Sequence, residues 1–314
     1  MKRKTGQFNF NWLFALIVGA AILILAVYGA TQIGKTQRFE IDTEIAKKIS
    51  ILTDPLQAGF ADARASSIEF KQETRINNIC YFDEFGKNDI SVSTRSRMGD
   101  EWQEAGGATS IHNKYIFSSP SQTGEDYYVF SKGFEFPFEI SDLIFLNSGE
   151  YCFISPPTRI ENEILNLNID YIEIDNCTED SLRVCFPSGS DCDISVYGTC
   201  MTGCGDMYEE GYVLNNGERL NYVGSLMYGA IFSRKSIYDC NVQRLLFRAG
   251  KISEVFVQKS ELMNARGCNT NLQADLNVFG GMLSGSSSED LISLNQFAKQ
   301  LDLKENNGGL CGLW

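Results

Sequence analysis

The residues best able to do chemistry in this chain are its ten cysteines, Cys80, Cys152, Cys177, Cys185, Cys192, Cys200, Cys204, Cys240, Cys268 and Cys311. Thiols gathered in one part of a sequence either bind metal or oxidise in pairs. Cys185, Cys192, Cys200 and Cys204 follow one another as C-x6-C-x7-C-x3-C. That spacing lacks the two-residue knuckles of a structural zinc site, and the single histidine, His112, leaves almost no imidazole to complete a ligand set. An even set of cysteines reads instead as a disulfide framework in an oxidising compartment. Five of the ten fall between Cys177 and Cys204, which predicts a stapled, loop-rich subdomain there. Spacing does not fix the pairing, except that Cys240 and Cys268 bracket one predicted helix and so take other partners.

Motifs for catalysis are few. Ser-His-Asp or Cys-His chemistry would depend on His112 alone, which sits in the turn-like ATSIHNKY without a nucleophile elbow. There is no S-x-x-K, no phosphate-binding glycine loop and no H-E-x-x-H. Asp191 and Asp193 in GSDCDIS, with Asp206 nearby, lack the spaced ladder and glycine of an EF-hand and read as a solvated loop. Glu209 with Glu210, and Glu289 with Asp290, read as exposed faces. The expectation is a non-enzyme with no catalytic residue, metal or cofactor. One modification signal stands out: Asn176-Cys177-Thr178 matches the N-x-[ST] acceptor for N-glycosylation.

The elements that position these residues begin with MKRKTGQFNFNWLFALIVGAAILILAVYGA. Trp12 to Ala30 is 19 residues without a charge. As a helix rising about 1.5 Å per residue it spans roughly 28 Å, the thickness of bilayer hydrocarbon. A signal-peptide cut before Thr31 would place bulky Tyr28 where a small side chain is wanted, so the segment reads as a retained anchor. Lys2, Arg3 and Lys4 hold the amino terminus in the cytoplasm and Trp12 and Tyr28 mark the two interfaces, which puts the bulk of the chain, and every cysteine, outside the cell. Ala15, Gly19, Ala26 and Ala30 fall within about 60° of one another at 100° per residue, a small-residue seam along which a second helix could approach.

Beyond the span, Ile41, Ile45, Ile49 and Leu52 continue a narrow apolar stripe, with Glu44 and Lys48 as an i, i+4 pair, until Asp54-Pro55 bends or ends the helix. A second short helix is expected from Leu56 to Ala65. From Ile68 to Val223 the pattern turns to short strands rich in aromatic and β-branched residues, interrupted by one helix in PPTRIENEIL and a tight hairpin at Asn216-Gly217. The last ninety or so residues return to helical period, with Val242, Leu245, Ala249, Ile252 and Phe256 on one face and a serine cap among Ser286, Ser287 and Ser288. The predicted organisation is therefore a basic leader over 1–11, a transmembrane helix over 12–30, a helical stalk over 31–67, a disulfide-stapled β-rich ectodomain over 68–223 and a helical region over 224–314. The fold class is α+β, with an antiparallel β ectodomain and a C-terminal helical bundle.

Charge sorts the possible partners. The chain carries 27 basic and 40 acidic residues, and without Lys2, Arg3 and Lys4 the remainder sums to about −16. This argues against nucleic acid or anionic lipid as a ligand for that face and suits a solvated outer surface. A basic leader ending in Gly6-Gln7, an apolar helix running on into an amphipathic stalk, and a disulfide-rich exported β domain together resemble type IV pilin-like and TadE-like surface proteins, archaeal ones in particular. The C-terminal run LMYGAIFSRKSIYDCNVQRL is similar to archaeal membrane-anchored proteins of the same layout. The resemblance covers chiefly residues 1–54 and implies processing between Gly6 and Gln7. Thr5 stands where that family has a basic residue, and Asn11 where it has glutamate. The resulting expectation is a single-pass cell-surface protein with a structural, adhesive or assembly role, associating with itself or with another membrane or surface protein. Two alternatives are an anchored ectoenzyme using carboxylates or a metal, and an extracytoplasmic partner-binding subunit of a membrane complex.

Overall fold

The computed structural model describes residues 10–52, 65–96, 101–186, 191–200, 206–268, 270–307 and 311–314. The fold is α+β. Helix α1 (Phe10–Leu52) is one uninterrupted element, continuous through Gly34. At about 1.5 Å per residue, its 43 residues extend roughly 64 Å. Asp54, Pro55 and the short helix expected after them, apart from Ala65, lie outside the described residues, as do Gly6 and Gln7.

Among the described residues twelve strands form two six-stranded sheets. The first contains β1 (Ser66–Tyr81), β2 (Lys87–Thr94), β3 (Thr109–His112), β4 (Tyr115–Phe117), β5 (Ser121–Glu135) and β6 (Glu139–Asn147), in the order β3-β2-β1-β5-β6-β4. The second contains β7 (Tyr151–Ile154), β8 (Ile172–Ile174), β9 (Leu182–Cys185), β10 (Ile194–Gly198), β11 (Glu210–Asn215) and β12 (Glu218–Val223), in the order β12-β11-β10-β9-β7-β8. Both are mixed, which corrects the antiparallel expectation. β4 runs parallel to β6, and β7 is parallel to both β8 and β9. The reason lies in the connections: parallel neighbours need a crossover, and α2 (Thr158–Leu167), begun after Pro156-Pro157, supplies one between β7 and β8. The cysteine-dense stretch after Cys177 is not a separate subdomain, because β9 and β10 are inner strands of the second sheet.

Alternation along the central strands feeds two cores at once. In β5 and β6, Tyr128, Phe130, Leu143 and Phe145 join the larger core, whereas Tyr127, Val129, Ile144 and Leu146 join the smaller one. Such strands are buried on both faces, which is why DYYVF and DLIFL read as continuous apolar runs. The larger core lies between the sheets. Helix α3 (Leu226–Phe232), buried at every residue, touches β6 on one side and β11 and β12 on the other. The helices α4 (Lys235–Ala265), α5 (Gln273–Leu283) and α6 (Leu291–Asn307) close over that core, with Phe256, Phe279 and Trp314 against Phe138. The C-terminal helices are thus docked on the β region. α5 lies against α4 where Ser253 Oγ donates to the Leu276 carbonyl at 2.8 Å, and Ser287 caps the turn before α6.

The smaller core is closed by α1. Ala46 and Ile49 are fully buried against Ile76, Ile90, Val92 and Ile111 of the first sheet. Gly106 brings the loop before β3 onto the helix backbone, and the Gly107 N–H donates to Thr43 Oγ1 at 2.8 Å. The predicted stalk is corrected accordingly: its 42–49 segment is part of the domain rather than a free-standing rod. Only a narrow stripe is needed to bury one helix on one sheet, so the sequence pattern is the same for both arrangements.

Candidate functional site

Helix α1 carries two environments on one element. Trp12–Gln32, 21 residues, is long and apolar enough to cross a bilayer, and none of it is buried in the protein. Ala15, Gly19, Ala26 and Ala30 are all exposed, and a methyl group added at Gly19 would meet no atom within 4 Å. Ten residues further on, the same helix is clamped into the sheet at Asp42, Ala46 and Ile49.

Among the described residues the sulfurs are paired. Cys80 bridges Cys240, Cys152 bridges Cys177, Cys185 bridges Cys192 and Cys268 bridges Cys311. Cys200 is also disulfide-bonded, and Cys204 lies outside the described residues. Cys240 and Cys268, near opposite ends of α4, do take other partners. Cys80–Cys240 spans 160 residues of sequence and fastens the β1–β2 hairpin to α4, while Cys268–Cys311 ties the end of α4 to the carboxyl terminus.

Beneath the first of these bridges lies Arg244, which no sequence motif singles out. The side chain is completely buried. Its guanidinium donates to the carbonyls of Phe85 (2.8 Å) and Lys114 (2.9 Å) and to Oδ1 of Asn88 (2.6 Å) and Asn241 (2.8 Å), and it faces the ring of Tyr115 at 4.8 Å. Every oxygen in that set is neutral. Burial pushes the guanidinium down to about 10, with Tyr115 opposing the shift. The group still carries its charge at neutral pH and is held by its five-donor fork geometry. Its only sequence signal would be an arginine on the apolar face of an otherwise amphipathic helix.

An open cleft of about 640 Å³ lies between the β5–β6 turn, the end of β12 and α6, and includes Lys132, Pro137, Glu163, Ser225, Lys299 and Asp302. At its edge Glu163 accepts from Lys132, from Arg159 at 2.8 Å and from the Tyr228 hydroxyl at 2.6 Å, and Arg159 also pairs with Asp206 at 2.9 Å. Burial alone would raise the Glu163 carboxyl, but the donors from Lys132 and Tyr228 and the charges of Lys132 and Arg159 outweigh it and hold the group below its ordinary value. A carboxylate so held is a poor proton acceptor at neutral pH. The cluster is an ion-pair brace joining α2, α3 and β5, drawn from positions too far apart in sequence to form a motif.

The remaining sequence-derived positions are dispersed. His112 is exposed on β3, opposite Lys87 of β2. Asp191 is exposed, Asp193 accepts the Arg183 N–H at 2.8 Å, and Asp206 belongs to the brace. Among the described residues no three His, Cys, Asp or Glu side chains are grouped to hold a metal. Asn176 is exposed just after β8, and the Thr178 hydroxyl of the same acceptor motif donates to Glu150 at 3.2 Å. Comparison with known proteins finds no matching family model, no matching curated protein and no matching solved structure.

Proposed function

We propose that this chain is a single-pass, membrane-anchored cell-surface protein whose disulfide-braced domain stands outside the cell and serves a structural, adhesive or pilin-like assembly role. The observation carrying this reading is the division of α1, bare and apolar over Trp12–Gln32 and built into the smaller core at Ala46 and Ile49. Water is a costly surrounding for 21 such residues, and a bilayer is the medium in which that helix needs no protein partner. The disulfides support an oxidising location, and Lys2, Arg3 and Lys4 support an amino terminus left in the cytoplasm. Self-association, or pairing with another membrane or surface protein, follows as the manner of use.

The deciding experiment is mass spectrometry of the protein recovered from its native membrane after alkaline extraction, before and after reduction. Retention in the membrane pellet, thiols that react only after reduction, and an amino terminus at Met1 or Gln7 are the expected results. Recovery from the cytosol with free thiols would overturn the reading.

A further inference from the structure

A cavity of about 180 Å³ opens where the second sheet meets the link between α3 and α4. At about 30 Å³ per water, that is the liquid volume of roughly six waters, room for a small molecule only. Its lining is partly apolar, through Ile194 and Phe232, and among the described residues its charged members are Arg234 and Asp193 alone.

Polar groups on this lining lack protein partners. Tyr151 is only 6 % exposed, yet its hydroxyl makes no hydrogen bond and is not sealed in the interior as that of Tyr115 is. A buried hydroxyl left in that state is costly unless something in the cavity meets it. The ring cannot turn aside, because it packs edge-on to Phe232 with centroids 4.8 Å apart. Burial pushes the phenol up to about 12, with the Arg234 charge opposing the shift, so the hydroxyl stays a proton donor at neutral pH. The exposed guanidinium of Arg234 itself has no hydrogen bond or ion pair among the described residues. Arg234 also stands at the start of α4, a helix of 31 residues that no side chain caps, so its first N–H groups add positive potential there. Asp193 brings the other sign. Its Oδ2 accepts the Arg183 N–H at 2.8 Å, its Oδ1 is free, and it forms no ion pair with Arg234.

We propose that this cavity binds a small zwitterion, an α-amino acid, its carboxylate held by Arg234 and the Tyr151 hydroxyl and its ammonium group by Asp193. Two opposite charges that face one cavity without pairing are satisfied together by a ligand that carries both. A plain anion would be repelled by Asp193, and a plain cation by Arg234 and the start of α4. The volume restricts the ligand to a short side chain. Every residue of the site belongs to the folded domain, so the inference goes beyond the anchoring reading and does not depend on it.

The test is calorimetric titration of the full-length protein in detergent with glycine, L-alanine and L-serine, and with acetate and methylammonium as the two half-ligands. Saturable one-to-one binding of at least one of the amino acids is expected, with each half-ligand about tenfold or more weaker. Arg234→Gln and Asp193→Asn should each weaken the amino acid about tenfold, and Tyr151→Phe about fivefold. Asp193→Asn keeps an acceptor for the Arg183 N–H, and Tyr151→Phe removes a hydroxyl that no protein group meets, so neither should lower the melting temperature of the unliganded protein. Arg266→Gln, at the far end of α4, is the control and should bind as the wild type does. Absence of binding by all three amino acids, or acetate binding as tightly as they do, would overturn the proposal. So would Arg234→Gln and Tyr151→Phe proteins that melt and bind as the wild type does.

Discussion

Arg244 on α4 donates through Nε to the backbone carbonyl of Phe85 at 2.8 Å, closing a contact across 159 positions of sequence. One side chain thereby sets the height of the β1–β2 turn against the helix layer. Replacing it with methionine leaves the Phe85 and Lys114 carbonyls and the Asn88 and Asn241 amides short of a donor, at an expected loss of about 3 kcal/mol in denaturant unfolding. Arg244→Lys should recover little of this, since a point ammonium cannot satisfy four oxygens spread around a planar fork. Faster amide exchange over Tyr81–Phe85 in Arg244→Met would locate the defect.

The clamp between α1 and the sheet is tested at Gly106. A Cβ there would lie 2.7 Å from the Thr43 backbone nitrogen and 2.8 Å from Asp42 Cβ, so Gly106→Ala pushes the loop off the helix. The expected cost is about 1–3 kcal/mol. Gly281→Ala, where the new methyl meets nothing within 4 Å, is the matched control and should hold or raise the melting temperature.

Disulfide removal should be graded by loop length. The Cys80–Cys240 bridge closes 160 residues and Cys185–Cys192 closes 7. On chain entropy alone, paired serine substitution should cost about 5 kcal/mol for the first and about 2 kcal/mol for the second. Equal midpoints in oxidised denaturant titrations would show that native-state contacts, not the unfolded chain, carry the effect.

Acid sensitivity follows from the Glu163 brace. Glu163 and Asp206 are both buried enough to be raised, yet Lys132 and Tyr228 in one case, and the Tyr208 N–H and Arg159 in the other, hold them below their ordinary values. A depressed carboxyl stabilises the fold above its unfolded pKa and loses that contribution as pH falls through the folded one. Stability should therefore be flat near neutrality and fall below about pH 4. Glu163→Gln should cost about 2 kcal/mol at neutral pH and flatten the acid limb.

The small-residue seam of α1 can be probed without disturbing the fold. Gly19 touches nothing in the monomer, so Gly19→Leu should leave thermal unfolding of the domain unchanged. If copies pack through Ala15, Gly19, Ala26 and Ala30, chemically crosslinked oligomer in membranes falls in this variant. Unchanged oligomer removes the seam from the assembly.

Much of the fold is legible in local pattern because local physics creates it. The Asn216-Gly217 hairpin has both central residues at positive φ, 54° and 78°, as a two-residue turn with right-twisted strands requires. The helix after Pro156-Pro157 and the end of the β region near Val223 are equally local. The direction of strand pairing was not legible. β9 pairs in parallel with β7 and β10, but its sequence, LRVC, fits either orientation. The brace around Glu163 escaped for a similar reason: Lys132, Arg159, Asp206 and Tyr228 are each unremarkable surface-type residues until the layers meet.

By itself the sequence determined the apolar length of α1, the periods of its strands and helices, and the supply of thiols for pairing, since composition and spacing act over one or two turns of chain. Only the tertiary structure decided which cysteine met which, that α1 ends inside a core, and that a buried arginine supports an aromatic turn. Those outcomes depend on contacts between segments many tens of residues apart, whose free energy exists only when both surfaces are present at once.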